Sequence, residues 1–416
     1  MSSTTTVLLL ALFSTAIAAP ASIIPLPPSN DPFYTAPKGF EDTSPGDVLR
    51  VRIAPGNLTT LVTNTSQAYH VLYRTTDSHY SPLWAVTTLF LPLSNSSSEA
   101  LLSYQIPYNS PNIDESPSWA YYAGQNSWNA AQYTDVEWAL GNGWFVNVPD
   151  FEGPLAAFIA GPQEGHATLD SIRAVKSLSL GLASDARIAL WGYSGGSFAS
   201  EFAAEMQVQY APELQLSGIA LGGLVDNGTD AIDDVNGAPD AGLIPLGLLG
   251  LTAQYPEARE FILNQLIDNG PYNKTTFLAS FNLTTPEVFS IFANQNVWNY
   301  FRDGRNIIYN PLLSRLLHTE ATLGSHGVPQ SPLFIYKAIH DEVTSIDGTD
   351  DLVQRYCRYG ANIWFQRNTK GNHIQEMING EPGARKFLHD VLDGTNKHDG
   401  CTVEDVTVDL AAATEA

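Results

Sequence analysis

Short apolar runs alternate with segments of helical periodicity through most of this chain. Each run has the length of a buried strand, and the segment at 169–182 has the spacing of a helix. Near-continuous apolar strands separated by helices are typical of a parallel sheet covered on both faces. The pattern therefore predicts an α/β fold with a mostly parallel sheet flanked by helices. The predicted strands are 85–91, 101–106, 144–148, 188–191, 216–221, 332–339 and 361–365.

About a hundred residues separate the strand that ends near Leu224 from the one that begins near Leu333. A crossover between parallel strands needs only a dozen or more residues, so the excess indicates an insertion. Within it we predict a helix over 256–267 and a second with Thr285 as N-cap and Pro286 at N1. The insertion leaves the carboxyl edge of the sheet, where we expect it to form a helical cap.

Two apolar features leave alternatives open. The run 242–251 either faces lipid or is buried between cap and core. The aromatic stretch through Trp119, Trp128 and Trp138 either lines a substrate pocket or fills the core.

A Gly-x-Ser-x-Gly turn, centred on Ser194, stands between a predicted strand and a helix-like segment. This is the nucleophile elbow of α/β-hydrolases, in which a strained serine projects from the sheet edge. The flanking Gly192 and Gly196 avoid clashes that a Cβ would make. The backbone N–H of Gly195, at a helix N-terminus, is placed to stabilise an oxyanion.

An acid and a base are expected later in the chain, in that order. Asp341 directly follows the strand at 332–339, and His373 lies in a polar loop after the strand at 361–365. His373 would accept the Ser194 proton, and Asp341 would orient the imidazole and stabilise its charged form. The competing acids are Asp347, Asp350, Asp351 and Glu342, and the competing bases are His340, His389 and His398.

These motifs, together with the segments 148–154, 340–342 and 371–373, resemble the fungal secretory lipase family. The resemblance implies an α/β-hydrolase core, a helical cap over the site and hydrolysis of lipid esters. Position by position it gives Ser194, Asp341 and His373 as the triad.

One position departs from that family. The loop after the strand at 101–106 supplies the second oxyanion donor in this fold. The resemblance implies the sequence Tyr-Asp-Ser in that loop, with the aspartate donating through a protonated side chain. This chain has Tyr108-Asn109-Ser110. We expect the Asn109 amide to donate without needing a bound proton, so that the oxyanion hole survives higher pH. The alternative is a turn-forming asparagine.

The N-terminus predicts secretion. Residues 1–18 have an uncharged apolar core and a small-x-small cleavage site, although the usual basic residue is missing. No later segment approaches the length of a membrane span. Sequons support the secretory route, at Asn57, Asn64, Asn95, Asn227, Asn273 and Asn282. The division we predict is a signal peptide at 1–18, a core at 19–225 and 315–416, and a cap at 226–314, with an extended arm over 19 to about 45.

Charge and cysteine content narrow the class further. The net charge of −23 excludes a nucleic-acid partner, because there is no basic stripe to neutralise phosphates. The only cysteines, Cys357 and Cys401, are expected to pair. No zinc or phosphate-loop pattern is present, so we expect no cofactor. Asp150 and Glu152 are expected to stabilise a strand-end loop rather than to perform acid–base chemistry.

The sequence thus predicts a secreted serine ester hydrolase, a triacylglycerol lipase. Its expected partner is a lipid or small-molecule ester, and its expected place of action is a lipid–water interface. A short-chain esterase or deacetylase of a secondary metabolite is the alternative. A serine peptidase and a non-catalytic hydrolase-like binding protein are further rivals.

Overall fold

A computed structural model describes residues 24–93, 99–123 and 133–414. The predicted signal peptide, Asn95 and Trp128 lie outside the described residues. Within them, ten strands form one sheet. They are β1 (Val48–Ile53), β2 (Thr65–Thr76), β3 (Pro82–Pro92), β4 (Ala100–Gln105), β5 (Phe145–Pro149), β6 (Arg187–Tyr193), β7 (Leu216–Gly222), β8 (Leu333–Ala338), β9 (Ile363–Asn368) and β10 (Cys401–Val406).

The α-helices lie in the connections between these strands, except the last, which follows β10. They are α1 (Leu58–Leu61), α2 (Pro117–Ala123), α3 (Tyr133–Gly141), α4 (Gly161–Ser177), α5 (Gly195–Tyr210), α6 (Gly228–Val235), α7 (Leu243–Leu251), α8 (Pro256–Gln265), α9 (Lys274–Leu278), α10 (Thr285–Phe292), α11 (Pro311–Glu320), α12 (Ile346–Arg358), α13 (His373–Asn379), α14 (Glu381–Leu392) and α15 (Ala411–Thr414).

The sheet order is β1-β2-β3-β5-β4-β6-β7-β8-β9-β10. Strands β4 to β10 are parallel to one another, whereas β1 pairs antiparallel with β2, β2 with β3, and β3 with β5. The mostly parallel sheet predicted from the apolar runs is therefore confirmed. Its parallel strands end at one edge, where ligand sites of such sheets form.

Apolar side chains cover both faces of the sheet. On one face Phe198 and Phe202 of α5 pack with Leu169 of α4. On the other, Val136 of α3 and Phe387 of α14 pack against strand residues. A third cluster is formed mainly by the helices between α6 and α11, with Phe158 joining it from the core.

Several boundaries differ from the predictions. Strands β1, β2 and β10 and the three-residue 3₁₀ turns in the N-terminal arm, including Pro32–Tyr34, were not predicted. Helix α4 begins at Gly161, eight residues before the predicted start, because Pro162 stands in its first turn and its N-terminal half is buried.

The N-cap prediction for α10 is wrong by one residue. Thr284 is the N-cap, and its backbone N–H donates to Glu287 Oε2 at 2.8 Å. Thr285 is instead buried: its hydroxyl donates to the Tyr108 carbonyl at 3.2 Å and its N–H to Glu115 Oε2 at 3.2 Å. Helix α10 is thereby attached to the loop after β4.

The apolar run at 242–251 forms α7 and is buried from Ile244 to Leu251. Burial, rather than exposure to lipid, is the alternative that the structure supports. Trp138 packs edge-on against Trp144 and Trp191 on a face of the sheet, so it fills the core. No described helix is long and apolar enough to span a bilayer.

Candidate active site

The turn between β6 and α5 holds Ser194 in a strained backbone conformation, with φ 52° and ψ −123°. A Cβ at Gly192 would lie 2.1 Å from the Gly196 carbonyl oxygen, and one at Gly196 would lie 1.9 Å from the Gln105 carbonyl oxygen. Only glycine fits at either position, as the elbow motif predicts. The turn thus packs so closely against its surroundings that Ser194 is held in its strained backbone conformation.

His373, at the first position of α13, brings its ring between Ser194 and Asp341. The distance from His373 Nε2 to Ser194 Oγ is 3.0 Å, and that from His373 Nδ1 to Asp341 Oδ2 is 2.8 Å. The three side chains come from the ends of β6, β8 and β9, which meet at the carboxyl edge of the sheet. The structure thus brings together the three residues selected from the sequence.

Asp341 is held from several sides. Its Oδ1 accepts hydrogen bonds of 3.0 Å from the N–H groups of both Val343 and Thr344. Burial raises the pKa of Asp341, but His373, the buried ammonium of Lys337 and the Thr344 N–H together hold that pKa below its usual range. Asp341 is therefore a fixed carboxylate that can stabilise an imidazolium.

The other candidate acids and bases contact different groups, lie in a helix turn or are exposed. Asp350 pairs with Arg367 at 3.1 Å, and Asp347 lies in the first turn of α12. His340 and Asp351 are exposed. His389 stacks edge-on with Trp138 and Trp144, and His398 Nδ1 lies 2.8 Å from Asn362 Oδ1.

Three residues near the triad were missed or misjudged from the sequence. Glu342, considered above only as a competing acid, accepts the His373 backbone N–H on its Oε2 at 2.8 Å. The Tyr193 hydroxyl donates to the His373 carbonyl at 2.5 Å. Lys337 Nζ donates to the Leu224 carbonyl at 2.8 Å. A lysine within an otherwise apolar strand was the one available signal for Lys337.

Asn109 lies against the elbow. It has a positive φ of 49° and is buried, and its Oδ1 occupies the space that a Cβ on Gly195 would need, 2.1 Å from that position. Its backbone N–H and that of Ser110 face the carboxyl of Glu152. Asn109 also lines both cavities beside Ser194.

The carboxyls of Asp150 and Glu152 contact loops and lie apart from the triad. Asp150 accepts hydrogen bonds from the Ser118 N–H at 2.9 Å and from the Ser118 hydroxyl at 2.6 Å. Glu152 supports the Asn109 loop, and burial together with the neighbouring Glu164 raises its pKa. These contacts agree with the loop-stabilising role expected for both.

Two cavities border Ser194. The Gly195-side cavity encloses about 540 Å³, part of it open to solvent. Its lining is mainly apolar and includes Phe158, Ile159, Phe198, Ile232 and Val235. The His373-side cavity encloses about 410 Å³ and is lined by residues that include Tyr193, Asp240, Phe289, His373 and Met377. Both cavities also contact Asn109, Leu243 and Val343.

The remaining predicted positions are the two cysteines and the sequons. Cys357 and Cys401 form a disulfide with Cα atoms 5.9 Å apart. Among the sequons, Asn57, Asn64 and Asn282 are exposed, whereas Asn227 and Asn273 are half-buried and cap helices α6 and α9. Within the described ranges no group of three or more His, Cys, Asp or Glu side chains could hold a metal ion.

Comparison with known proteins identifies the family. A family model described as secretory lipase matches residues 128–400. Trichothecene C-3 esterase of Fusarium sporotrichioides is 50% identical in an alignment of 406 positions that covers 94% of this chain and 90% of that protein. Lipase A of Arthroderma benhamiae is 35% identical and covers 93% of this chain and 84% of its own length.

A solved structure gives the same answer. The crystal structure of Candida antarctica lipase A superposes with a TM-score of 0.85 at 30% identity, over 93% of this chain and 90% of that one. The mostly parallel sheet and the strand–serine–helix elbow are those of an α/β-hydrolase. The chain belongs to the secretory lipase family and is a carboxylic ester hydrolase with the α/β-hydrolase fold.

Proposed function

We propose that the ester bond is broken through an acyl-enzyme on Ser194, with His373 as the base and Asp341 as its orienting carboxylate. The unbroken hydrogen-bonded series from Ser194 Oγ through the His373 ring to Asp341 is the observation that supports this proposal. Each link is within the distance at which a proton can move between nucleophile and base.

In the first half of the reaction, Ser194 Oγ attacks the ester carbonyl carbon while its proton passes to His373 Nε2. The carbonyl oxygen becomes an oxyanion, which the N–H of Gly195 and the amide of Asn109 stabilise. The carbon–oxygen bond to the alcohol then breaks, and His373 gives its proton to the leaving oxygen.

In the second half, a water molecule gives a proton to His373 and adds to the acyl carbon. Ser194 leaves and recovers its proton, and a carboxylic acid is released. The chemistry needs only side chains and backbone groups of this chain.

The segment 226–314 serves as the cap in this proposal, with the core formed by 19–225 and 315–416. Helices α6 and α7 of this segment contribute Ile232, Val235 and Leu243 to the walls beside Ser194. An apolar wall suits the acyl chain of a lipid ester. Action at a lipid–water interface follows as part of the lipase proposal.

The second candidate is removal of an acyl group from a secondary-metabolite alcohol. The observation that favours it is the 50% identity to a protein named trichothecene C-3 esterase. Both candidates use the same triad and differ in the acyl chain and the alcohol.

Secretion belongs to the same proposal. The uncharged apolar leader at 1–18 and the sequons support export and glycosylation. Membership of the secretory lipase family points the same way.

The decisive experiment labels the purified protein with a fluorophosphonate and maps the adduct. We expect the label on Ser194, and Ser194→Ala should lower turnover about a millionfold. Ser314→Ala, an exposed serine on α11, is the matched control and should label and turn over like wild type. Ordinary turnover by Ser194→Ala would refute the proposal.

Rates on tributyrin, a long-chain triglyceride emulsion and an acetylated trichothecene then separate the two candidates. A lipase favours the triglycerides. A metabolite esterase favours the acetylated trichothecene.

A further inference from the structure

The two cavities beside Ser194 are not equivalent chemically. Gly195 lines only one of them and His373 only the other. The proposed reaction determines which half of the ester each cavity binds. The carbonyl oxygen of the ester faces the Gly195 N–H, and the leaving alcohol oxygen receives its proton from His373 Nε2. This assignment rests on the proposed function. The acyl group then extends into the Gly195-side cavity and the alcohol into the His373-side cavity.

Asp240 is the feature that sets the alcohol's cavity apart. Among the described residues it is the only carboxylate in the lining of the His373-side cavity, whose other walls include Phe289, Ile374 and Met377. No hydrogen bond or ion pair from another described residue reaches its side chain, although it is half-buried. Keeping an ionised carboxylate in an apolar wall costs free energy unless a ligand or a water molecule donates a hydrogen bond to it.

The backbone fixes where Asp240 stands. The Leu243 N–H donates to the Asp240 carbonyl at 2.9 Å, which closes a turn just before α7. A Cβ on Gly242 would lie 2.7 Å from Phe289 Cδ1 and 3.0 Å from Phe289 Cα, so α10 lies directly against this turn. Asp240 is thus held on a packed wall of the cavity.

Its electrostatic surroundings agree with a position close to the reacting atoms. Burial and the charge of Glu342 raise the pKa of Asp240, and His373 acts in the opposite direction. The charge of His373 therefore acts on the Asp240 carboxylate, although no hydrogen bond joins the two side chains.

We propose that Asp240 is a specificity-determining residue that accepts a hydrogen bond from a second hydroxyl on the alcohol half of the ester. The preferred substrates are then monoesters of diols and polyols, in which the alcohol keeps a free hydroxyl a few bonds from the ester oxygen. Esters whose alcohol is wholly apolar leave the carboxylate unpartnered and desolvated, and are disfavoured for that reason.

The test uses pairs of butyrate esters in which a terminal hydroxyl replaces a methyl group of equal size. The pairs are 2-hydroxyethyl with propyl butyrate and 3-hydroxypropyl with butyl butyrate. For each pair the measured quantity is kcat/KM of the hydroxy ester divided by kcat/KM of the alkyl ester.

We expect Asp240→Leu to lower this ratio by about tenfold or more for at least one pair, since hydrogen bonds to charged groups are worth that much. Asp240→Asn should give an intermediate ratio, because its amide oxygen still accepts. Glu260→Gln, which removes an exposed carboxylate on α8, is the matched control and should keep the wild-type ratio.

Two results would overturn the proposal. One is a ratio that changes by less than about twofold in Asp240→Leu for both pairs. The other is an equal fall for both esters together with a shifted pH profile, which would mean that Asp240 acts only through His373. Fluorophosphonate titration of Ser194 in each variant counts the active sites, so failure of the Asp240 proposal is distinguishable from failure of the Ser194 mechanism.

Discussion

Glu342 accepts a hydrogen bond of 2.8 Å from the backbone N–H of His373, while the adjacent Asp341 contacts the ring of the same histidine at 2.8 Å. Two consecutive carboxylates thus fix the backbone and the side chain of one residue. Since the His373 N–H lies in the first turn of α13, it has no partner within the helix and is free to bond outside it. Glu342 therefore positions the base without touching the substrate.

Removing that contact should slow turnover without preventing it. We expect Glu342→Ala to lower kcat on nitrophenyl butyrate by about fivefold, the value of one hydrogen bond of roughly 1 kcal/mol. KM should change little, because Glu342 does not line either cavity. Glu342→Gln should recover most of the rate through its amide oxygen. An unchanged kcat in Glu342→Ala, with Asp351→Ala as the exposed control, would contradict the positioning role.

Asn109 provides a second test of the site. Asn109→Ala should lower turnover by about a hundredfold, the usual effect of losing one oxyanion donor. A loss below about threefold would exclude Asn109 as a donor. Asn112→Ala serves as the control, because Asn112 caps the short turn at Ile113–Glu115 in the same loop.

The Asn109→Asp variant tests the pH argument directly. An aspartate donates to an oxyanion only when protonated, whereas an amide donates at any pH. The ratio of wild-type kcat to that of Asn109→Asp should therefore rise with pH across the titration of the new carboxyl. A ratio that stays constant from about pH 5 to about pH 8 would exclude side-chain donation.

The triad could be chosen from the sequence because each member follows an apolar run, and runs of that kind end at the same sheet edge. Two of the three missed strands, β1 and β10, carry a different pattern. Every residue of β1 and β10 is half-exposed or exposed. Charged residues also interrupt their apolar positions: Arg50 and Arg52 in β1, and Glu404 and Asp405 in β10. Edge strands of this kind lack the apolar continuity on which the prediction depended.

Contacts that join distant segments were also beyond the sequence. The bond from the Thr285 hydroxyl to the Tyr108 carbonyl spans 177 residues of chain. The N-cap of α10 was misplaced because Thr284 and Thr285 are both good caps, and tertiary burial of Thr285 decided between them. Asp240 has no motif, since its significance arises only when α7, α10 and α13 enclose one cavity.

Buried carboxyls should make the protein less stable as the pH rises from acid to neutral. Burial raises the pKa of Asp150 to about 7 and that of Glu115 to about 7. A folded-state pKa above the unfolded value gives stability that is fully present below the unfolded pKa and is lost as the pH rises through the folded one. Each such proton changes the free energy of unfolding by about 1.4 kcal/mol per pH unit in that window.

Asp150 allows this effect to be isolated. We expect the urea midpoint of wild type, followed by tryptophan fluorescence, to fall between about pH 5 and about pH 7. In Asp150→Asn the fall should be smaller, because the amide carries no titrating proton and its oxygen still accepts the Ser118 N–H. Asp399→Asn, at an exposed carboxylate, should follow the wild-type curve. Equal slopes in Asp150→Asn and wild type would contradict the prediction.

The Cys357–Cys401 disulfide joins the end of α12 to the start of β10 across 44 residues of chain. Among the described strands β10 pairs with β9 alone, at the edge of the sheet. The disulfide therefore limits how far the two ends of this segment can separate in the unfolded chain. Loop-closure entropy for a segment of this length gives about 4 kcal/mol of stabilisation. The double variant Cys357→Ser/Cys401→Ser should therefore lose roughly 2 to 4 kcal/mol of unfolding free energy.

Turnover at room temperature should survive that loss. His373 lies between the two cysteines in sequence, yet its own contacts with Asp341, Glu342 and Tyr193 hold it in the folded protein. The measurement is the urea midpoint of wild type with and without dithiothreitol, beside that of the double variant. Reduction should lower the wild-type midpoint to that of the variant and leave the variant unchanged. If the three midpoints coincide with oxidised wild type, the disulfide adds nothing to stability, and the noncovalent pairing of β10 with β9 secures this edge by itself.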